Sequence, residues 1–267
     1  MSGRLQGGTG WLLYGITGSV MLFMLAPLLV IIAMSVTTAP FASFPPRGFT
    51  LSWYAAVLKD PDFLQSVALS TSLAVGATLG ALILGIPAAY ALARHESPGR
   101  DAARALLLSP LIFPILVTGV ALLRLFSSWG SNNTGLNLLI AHVLVTMPYV
   151  IRTVWASLLM ADPVLEDAAR TLGAGPWRVF RKVTLPTIAP GVTAGALFAF
   201  MISFDNYPVS MWLADARMVP VPMLIYRMAG SVFTPAVPAI SGLMILLAIV
   251  IVMIMERLVG LRRAVSM

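Results

Sequence analysis

The sequence predicts an all-α integral membrane protein with six membrane-spanning helices, and three observations lead to this fold class. Of the 267 residues, 59% are hydrophobic and 10% are charged, whereas an average soluble domain carries about 25% charged residues. Six apolar segments have, or approach, the length of about 20 residues that a helix needs to cross the hydrocarbon core. The lysines and arginines are concentrated in alternate connections between these segments, as in membrane proteins with a defined orientation.

The six predicted spans follow one another along the whole chain. They cover residues 11–36, 64–92, 105–126, 136–159, 189–204 and 236–258. The first is too long for the apolar core of a signal peptide, and no convincing cleavage site follows it, so we expect it to be retained. The fifth is the shortest. Because no internal repeat is visible, a single transmembrane domain over residues 1–267 accounts for the chain.

The first two spans and the loop between them carry distinct signals. In the loop, the segment from Phe49 to Tyr54 predicts a short helix at the membrane interface, where tryptophan and tyrosine rings are favoured. The second span is rich in alanine and glycine, which let helix backbones approach closely, and we expect it to be a core helix. Four prolines lie within the second, third and fourth predicted spans and either bend the helices around a pathway or are simply tolerated there: Pro87, Pro110, Pro114 and Pro148.

Charge predicts the orientation. With both termini in the cytoplasm, eleven basic residues lie inside: Arg4, Arg94, Arg100, Arg104, Arg170, Arg178, Arg181, Lys182, Arg257, Arg262 and Arg263. The outer loops hold four: Arg47, Lys59, Arg217 and Arg227. This bias follows the positive-inside rule. The net charge of +7 is therefore distributed by topology and is not gathered into a nucleic-acid-binding patch. The absence of cysteine excludes disulfides and thiolate metal sites.

A polar, basic loop over residues 160–188 interrupts the apolar pattern. Apolar residues recur at helical spacing and predict a short amphipathic helix: Leu165, Ala168, Ala169 and Leu172. Asp162 is placed to cap this helix ahead of Pro163, and Gly173 or Gly175 suits the left-handed position that ends it. Pro176 predicts the start of a second helix, which the Leu185-Pro186 pair is expected to stop. The loop lacks residues for catalysis and therefore predicts a docking surface.

This loop resembles the signature of the permeases of bacterial ABC importers, the EAA motif: Glu-Ala-Ala, three residues, Gly, nine residues, Ile, one residue, Leu-Pro. The matching positions here, with every spacing kept, are Asp167-Ala168-Ala169, Gly173, Val183 and Leu185-Pro186. Aspartate replaces glutamate and valine replaces isoleucine. The resemblance implies a type I ABC importer permease fold with a cytoplasmic coupling helix, in a multi-pass protein of the bacterial inner membrane.

In such importers the coupling helix sits in a groove of a separate ATPase subunit. The resemblance therefore implies a set of ATPase-coupling residues: Glu166, Asp167, Ala168, Ala169, Gly173, Leu185 and Pro186. It also implies two ATPase subunits, a second homologous permease subunit, identical or different, and a periplasmic solute-binding protein. The chain has no phosphate-binding Gly-x-x-x-x-Gly-Lys-Ser/Thr loop, so we expect no cofactor in this chain and ATP with Mg²⁺ on the partner.

The chain also resembles the spermidine/putrescine-type permeases over nearly its whole length. The segments that carry this resemblance are less specific than the EAA motif: Phe49–Tyr54, Ser109–Pro114 and Phe200–Asn206. They imply a polyamine-like or other amine-containing solute. Asp205, followed by Asn206 and Tyr207, is placed to attract an ammonium group or to be a helix-end residue. Arg124 is placed to bind a carboxylate, to pair with Asp205 or to extend to the lipid headgroups, and we favour the last two.

One position departs from that subfamily. An acidic residue is typical after the proline at the position of Pro114, and here Ile115 follows. Together with Arg124, this keeps an amino-acid derivative, an opine or a phosphonate open as the solute. Two other classes remain: an ATP-independent channel or secondary transporter, which needs no coupling motif, and an intramembrane enzyme, which needs a nucleophile or metal cluster. We identify no catalytic or metal-binding residues, and expect His142 to be a hydrogen-bonded packing residue.

Overall fold

The computed structural model describes residues 8–96 and 98–259, and within them all regular structure is helical. The helices are α1 (Gly8–Ser35), α2 (Ser52–Val57), α3 (Pro61–Arg94), α4 (Arg100–Leu108), α5 (Ile115–Ser128), α6 (Thr134–Met160), α7 (Val164–Thr171), α8 (Pro176–Val179), α9 (Leu185–Thr187), α10 (Ala189–Phe204), α11 (Tyr207–Leu213), α12 (Val221–Ser231) and α13 (Ala236–Val259). Arg4, Arg262 and Arg263, which the orientation prediction uses, lie outside the described residues.

Among the described residues, four helices are long and apolar enough to cross a membrane: α1, α3, α6 and α13. Two bent pairs of helices bring the number to six if each pair is one span. The predicted spans at residues 11–36, 64–92, 136–159 and 236–258 therefore correspond to continuous helices.

The predicted third span, residues 105–126, is broken at Pro114, one of the prolines that the sequence suggests as a bend. A 3₁₀ turn at Ser109–Leu111 extends α4, and the resulting helix Arg100–Leu111 meets Ile115–Ser128 at an angle of 102°. Pro114 has extended backbone angles, φ −57° and ψ 125°. Proline has no amide hydrogen and disfavours helical geometry in the residue before it, so the first helix ends and α5 starts anew.

The chain divides into two compact units. One comprises residues 1–60 and 225–247, and the other comprises residues 61–224 and 248–267. In the first unit, the Trp53 side chain donates a hydrogen bond from Nε1 to the Thr37 carbonyl, 3.0 Å away, and the Tyr54 hydroxyl lies 2.7 Å from Ser35 Oγ. The expected helix near Tyr54 is thus present as α2, and its rings hold the loop to the end of α1.

The second unit is built on close contacts between α3, α6 and α10. A β-carbon added at Gly80 of α3 would lie 2.7 Å from Val143 of α6. One added at Gly191 of α10 would lie 2.5 Å from Ser157 Cβ and 2.7 Å from the Thr153 carbonyl oxygen, both on α6. Only glycine allows backbones to approach so closely. The prediction that the second span is a core helix is confirmed by these contacts.

The loop's second helix ends at Thr187, one residue beyond the Leu185-Pro186 pair that the sequence predicts as its end. After α8, residues Phe180–Thr184 form a π-helical segment that continues into α9, and the break comes at Ile188, where Pro176–Thr187 and α10 meet at 73°. A proline ring clashes with the carbonyl one turn earlier. The wider π turn ahead of Pro186 relieves this clash and lets the helix continue.

Candidate functional site

The predicted docking loop folds as a helix, a glycine corner and a second helix. Asp162 accepts a 2.9 Å hydrogen bond at Oδ1 from the Val164 amide and so caps α7. At the other end Gly173 adopts φ +81°. The Ala174 amide donates to the Ala169 carbonyl at 3.1 Å and the Gly173 amide donates to the Arg170 carbonyl at 2.9 Å. These two bonds and the left-handed glycine make a Schellman motif, which fixes the direction of the chain after α7.

The outer side of this corner is apolar. Leu165, Ala168 and Leu172 share one face of α7 by their spacing, and all three are exposed. Leu172 is 88% exposed, and Trp177 of α8, beyond the corner, is 71% exposed. We call Leu165, Ala168, Leu172 and Trp177 the elbow surface. Large exposed apolar side chains on an otherwise polar loop indicate a contact with another molecule.

Two acidic neighbours on α7 have opposite environments. Asp167 is exposed and forms a 2.7 Å ion pair with Arg170. Glu166 is only 4% exposed and points back toward α3. The placement of Glu166 is thus opposite to that of the elbow surface, although both belong to the predicted set of coupling residues. Of the remaining members of that set, Ala169 is half-buried, and Leu185 and Pro186 lie in α9, after the π segment.

Glu166 is held by three side chains. Its Oε1 lies 3.1 Å from Arg94 Nη2 and accepts a 3.2 Å hydrogen bond from Arg94 Nε. Its Oε2 lies 3.3 Å from Arg170 Nη2 and accepts a 3.2 Å hydrogen bond from the Tyr90 hydroxyl. Arg94 also donates to the Ala161 carbonyl at 3.3 Å. A buried carboxylate needs such partners to remain charged, and they join α7 to the end of α3.

Aromatic rings make a second connection at the same place. The Tyr90 ring packs edge-on against Phe180 of the π segment, with centroids 5.9 Å apart. Phe180 in turn stacks on Trp177, with centroids 5.7 Å apart and an interplanar angle of 25°. Edge-on and offset-stacked pairs are the favoured aromatic geometries. The sequence did not reveal Tyr90, Arg94 or Phe180 as site residues, since nothing local to the chain links α3 to a loop more than 70 residues later.

Three predicted substrate-pathway residues are consecutive, and the structure gives each a different degree of burial. Asp205 follows α10 and is exposed. Asn206 is buried, and its Oδ1 accepts a 3.1 Å hydrogen bond from the Val209 amide, which makes it the cap of α11. Its amide nitrogen is buried without a hydrogen-bond partner. Tyr207 is the half-buried first residue of α11.

The expected ion pair between Arg124 and Asp205 is wrong. Both residues are described, and no ion pair joins them in this part of the chain; Asp167 and Glu166 are the acids paired with Arg170 and Arg94. The buried face of α5 consists of Gly119, Leu122 and Phe126. Arg124, five residues after Gly119, projects from a different face and is exposed. The alternative that Arg124 extends to the headgroups stays a prediction.

His142 has the expected packing role. It is buried in α6, and its two ring nitrogens lie 2.8 Å from Ser203 Oγ and 3.3 Å from Ser210 Oγ. Both nitrogens are thus engaged by hydroxyls of α10 and α11. Among the described residues, no group of three or more histidine or acidic side chains is placed to hold a metal ion.

The loop between α11 and α12 is anchored by one carboxylate. Asp215 Oδ2 accepts a 2.7 Å hydrogen bond from the Thr134 hydroxyl, and Oδ1 accepts bonds of 2.8 Å from the amides of Met218 and Arg217. The Thr134 hydrogen bond, followed by the two amide bonds, lowers the pKa of this carboxyl below its usual value.

Residues 81–264 match the family described as "Binding-protein-dependent transport system inner membrane component". The chain belongs to this family. The matched region includes α6, the elbow surface and α10, and the match gives the chain its class: a multi-pass inner-membrane permease subunit of an ABC importer, in which the chain is a transport component and not an enzyme.

Curated relatives of this permease carry transport names. It is 29% identical over 252 residues to the spermidine/putrescine transport system permease protein PotC of Escherichia coli (strain K12), covering 94% of this chain and 93% of that protein. It is 31% identical over 230 residues to the putrescine transport system permease protein PotI of the same strain, covering 84% and 82%. A molybdate/tungstate transport system permease protein, WtpB of Thermococcus kodakarensis, is 30% identical, covering 78% and 83%.

Solved structures agree on the fold of the permease. A chain of a bacterial ABC transporter involved in the import of the acidic polysaccharide alginate superposes with a TM-score of 0.72 at 19% identity, covering 97% of this chain and 98% of that one. A chain of the MetNI methionine ABC transporter superposes with a TM-score of 0.63 at 18% identity, covering 74% and 94%. The prediction of an all-α, type I ABC importer permease fold is confirmed.

Proposed function

We propose that this permease imports a polyamine-like solute and that its elbow surface docks on a separate ATPase subunit. The observation that carries the docking proposal is the exposure of Leu165, Leu172 and Trp177 around a corner that the left-handed Gly173 fixes. Apolar side chains this exposed gain free energy when a partner covers them. The matched spacing of the EAA motif in the same loop supports an ATPase as that partner.

The complete importer that we propose has two ATPase subunits, a second permease subunit and a periplasmic solute-binding protein. ATP and Mg²⁺ are held by the ATPase subunits, and this chain contributes no nucleotide site. Both termini and the elbow surface lie in the cytoplasm, because the basic residues of the connections favour that side. Closure of the ATPase subunits moves the elbow surface, and the bundle alternates between outward and inward openings.

The identity of the solute is supported by the relatives named for spermidine and putrescine transport. Asp205 supplies an exposed carboxylate after α10, the charge that an ammonium group requires. The relative named for molybdate and tungstate transport shows that anion transport also occurs at this level of identity. Ile115 and the exposed Arg124 fit a carboxylate- or phosphonate-bearing solute better than a polycation, so the test includes such solutes.

Docking is tested by co-purification of the ATPase subunit with the tagged permease from detergent. Leu172→Asp places a charge where the partner covers an apolar side chain, and we expect the retained ATPase to fall on the order of tenfold, since burial of a leucine contributes about 1.5–3 kcal/mol. Leu51→Asp is the matched control, an exposed leucine before α2. Equal retention by the two variants would overturn the docking proposal.

The solute is tested by uptake of radiolabelled spermidine into cells that express the complete importer. We expect putrescine to compete and an opine, a phosphonate and molybdate not to compete. Asp205→Asn should raise the half-saturating spermidine concentration, whereas Asp101→Asn, an exposed acid of α4, should leave it unchanged. Competition by an anionic solute alone would reject the polyamine assignment and leave the docking proposal intact.

A further inference from the structure

The docking proposal does not explain Glu166. This side chain is buried, so an ATPase subunit cannot reach it, and its oxygens are directed to Tyr90 and Arg94 of α3 and to Arg170 of its own helix. A carboxylate that served only to cap or to solubilise α7 would be exposed, as Asp167 is. Its position instead joins the first arm of the elbow, α7, to the last turn of the second predicted span.

Tyr90 is the residue that touches both arms. Its hydroxyl donates to Glu166 in the first arm. Its ring packs on Phe180 in the second arm, which consists of α8 and the π segment. Arg94, one turn later on α3, adds the ion pair to Glu166 and a hydrogen bond to the carbonyl of Ala161, where the loop begins. The two arms and the base of the loop thus meet at one end of α3.

We propose that Tyr90, Arg94 and Glu166 form a clasp that transmits displacement of the elbow surface to α3. The covalent route to α10 passes through the 73° break at Ile188, whereas the clasp joins the elbow to α3 directly. Beyond the clasp, α3 packs against α6 at Gly80, and α10 packs against α6 at Gly191, both too closely for an added β-carbon. The clasp therefore delivers the motion of the ATPase subunit to the core helices, and these three are positioning residues. This inference rests on the proposed docking function.

The test compares docking with transport in the complete importer reconstituted in vesicles. For Glu166→Gln we expect the ATPase subunit to co-purify as with the unsubstituted permease, and spermidine taken up per ATP hydrolysed to fall about tenfold, within the range typical of a coupling free energy between two sites. Tyr90→Phe, which keeps the ring on Phe180, should lower the uptake of spermidine per ATP hydrolysed, by less than Glu166→Gln does, without a change in Tm. Asp101→Asn is the control and should lose none.

A distance measurement separates transmission from simple stabilisation. The chain has no cysteine, so Ala91→Cys on α3 and Lys182→Cys on the second arm, both exposed positions, introduce a unique pair for spin labels. When vanadate traps the ATPase subunits, we expect the label distance to stay constant in the otherwise unsubstituted permease and to change or broaden in the Glu166→Gln background. Arg94→Lys should retain more uptake per ATP than Arg94→Gln.

The outcomes are distinct. An unchanged ratio of uptake to ATP hydrolysis in Glu166→Gln or in Tyr90→Phe overturns the clasp, as does a label distance that changes on trapping without the Glu166 substitution. Loss of the ATPase subunit from Glu166→Gln would make Glu166 a docking residue and also overturns it. If no ATPase subunit co-purifies with the unsubstituted permease, the proposed function itself fails, and that result is visible before any variant is made.

Discussion

The left-handed corner at Gly173 gives a sharp test of the elbow. At φ +81°, an L-residue with a β-carbon is strained by about 1–2 kcal/mol. The added β-carbon of Gly173→Ala would have nothing within 4 Å, so the whole cost comes from the backbone. In Gly173→Ala the native conformation of the corner should therefore be about 5- to 30-fold less populated relative to other backbone conformations. The apparent Kd for the ATPase subunit should rise by the same factor.

Gly175→Ala is the matched control. It lies two residues away, its added β-carbon also meets nothing within 4 Å, and its backbone, at φ −66° and ψ 161°, suits any residue. The assay is titration of purified ATPase subunit against the permease in detergent. We expect weaker binding for Gly173→Ala and native binding for Gly175→Ala. Equal binding by both variants would show that the conformation of Gly173 does not control docking.

Three further predictions concern the scaffold and are read from unfolding of the purified permease. Gly191→Ala should lower the free energy of unfolding by about 1–3 kcal/mol, because its β-carbon overlaps the Thr153 carbonyl. Gly15→Ala, whose β-carbon meets nothing within 4 Å, should leave it unchanged. Equal Tm values for the two variants would contradict the close approach of α10 to α6. Because folding lowers the pKa of Asp215, this carboxylate stabilises the fold at pH values above its unfolded pKa, near 3.8. The stabilisation is lost as the pH falls through its pKa in the folded protein. The Tm of the unsubstituted permease should accordingly fall more steeply than that of Asp215→Asn below about pH 4, and parallel curves would reject this anchor. Trp53→Phe should cost about 1 kcal/mol through loss of the bond to Thr37, more than Trp11→Phe at an exposed ring, and the reverse order would exclude that role.

Much of the architecture was predictable, since it depends on local patterns. Apolar length placed the four continuous spans, and small residues identified α3 as a core helix. The corner was also readable: Asp162 caps α7, Gly173 ends it in the left-handed region, and Pro176 starts α8. Each of these features depends on a few neighbouring residues and on conformations that proline or glycine imposes.

The remaining features depend on direction and on distant contacts. Pro114 suggests a bend, but neither the proline nor the length of the apolar segment specifies the 102° angle between the two helices. The continuation of the helix past Pro186 depends on a π turn that no residue type specifies. Glu166 and Asp167 are adjacent acids in sequence, and only contacts with Tyr90 and Arg94, 76 and 72 residues away, distinguish their roles.

The π segment at Phe180–Thr184 has a consequence for the spacing of the motif. Each residue of an α-helix turns the chain by about 100°, so the number of residues between the glycine corner and α10 sets the rotational phase of Trp177 about the helix axis. Removing one residue from the π segment after Phe180 would change the rotation of Trp177 and Phe180 together relative to α9, and so would turn Phe180 away from Tyr90. The interval between Gly173 and Leu185-Pro186 therefore sets a rotation about the helix axis as well as a length, and we expect insertions or deletions there to be tolerated far less than substitutions.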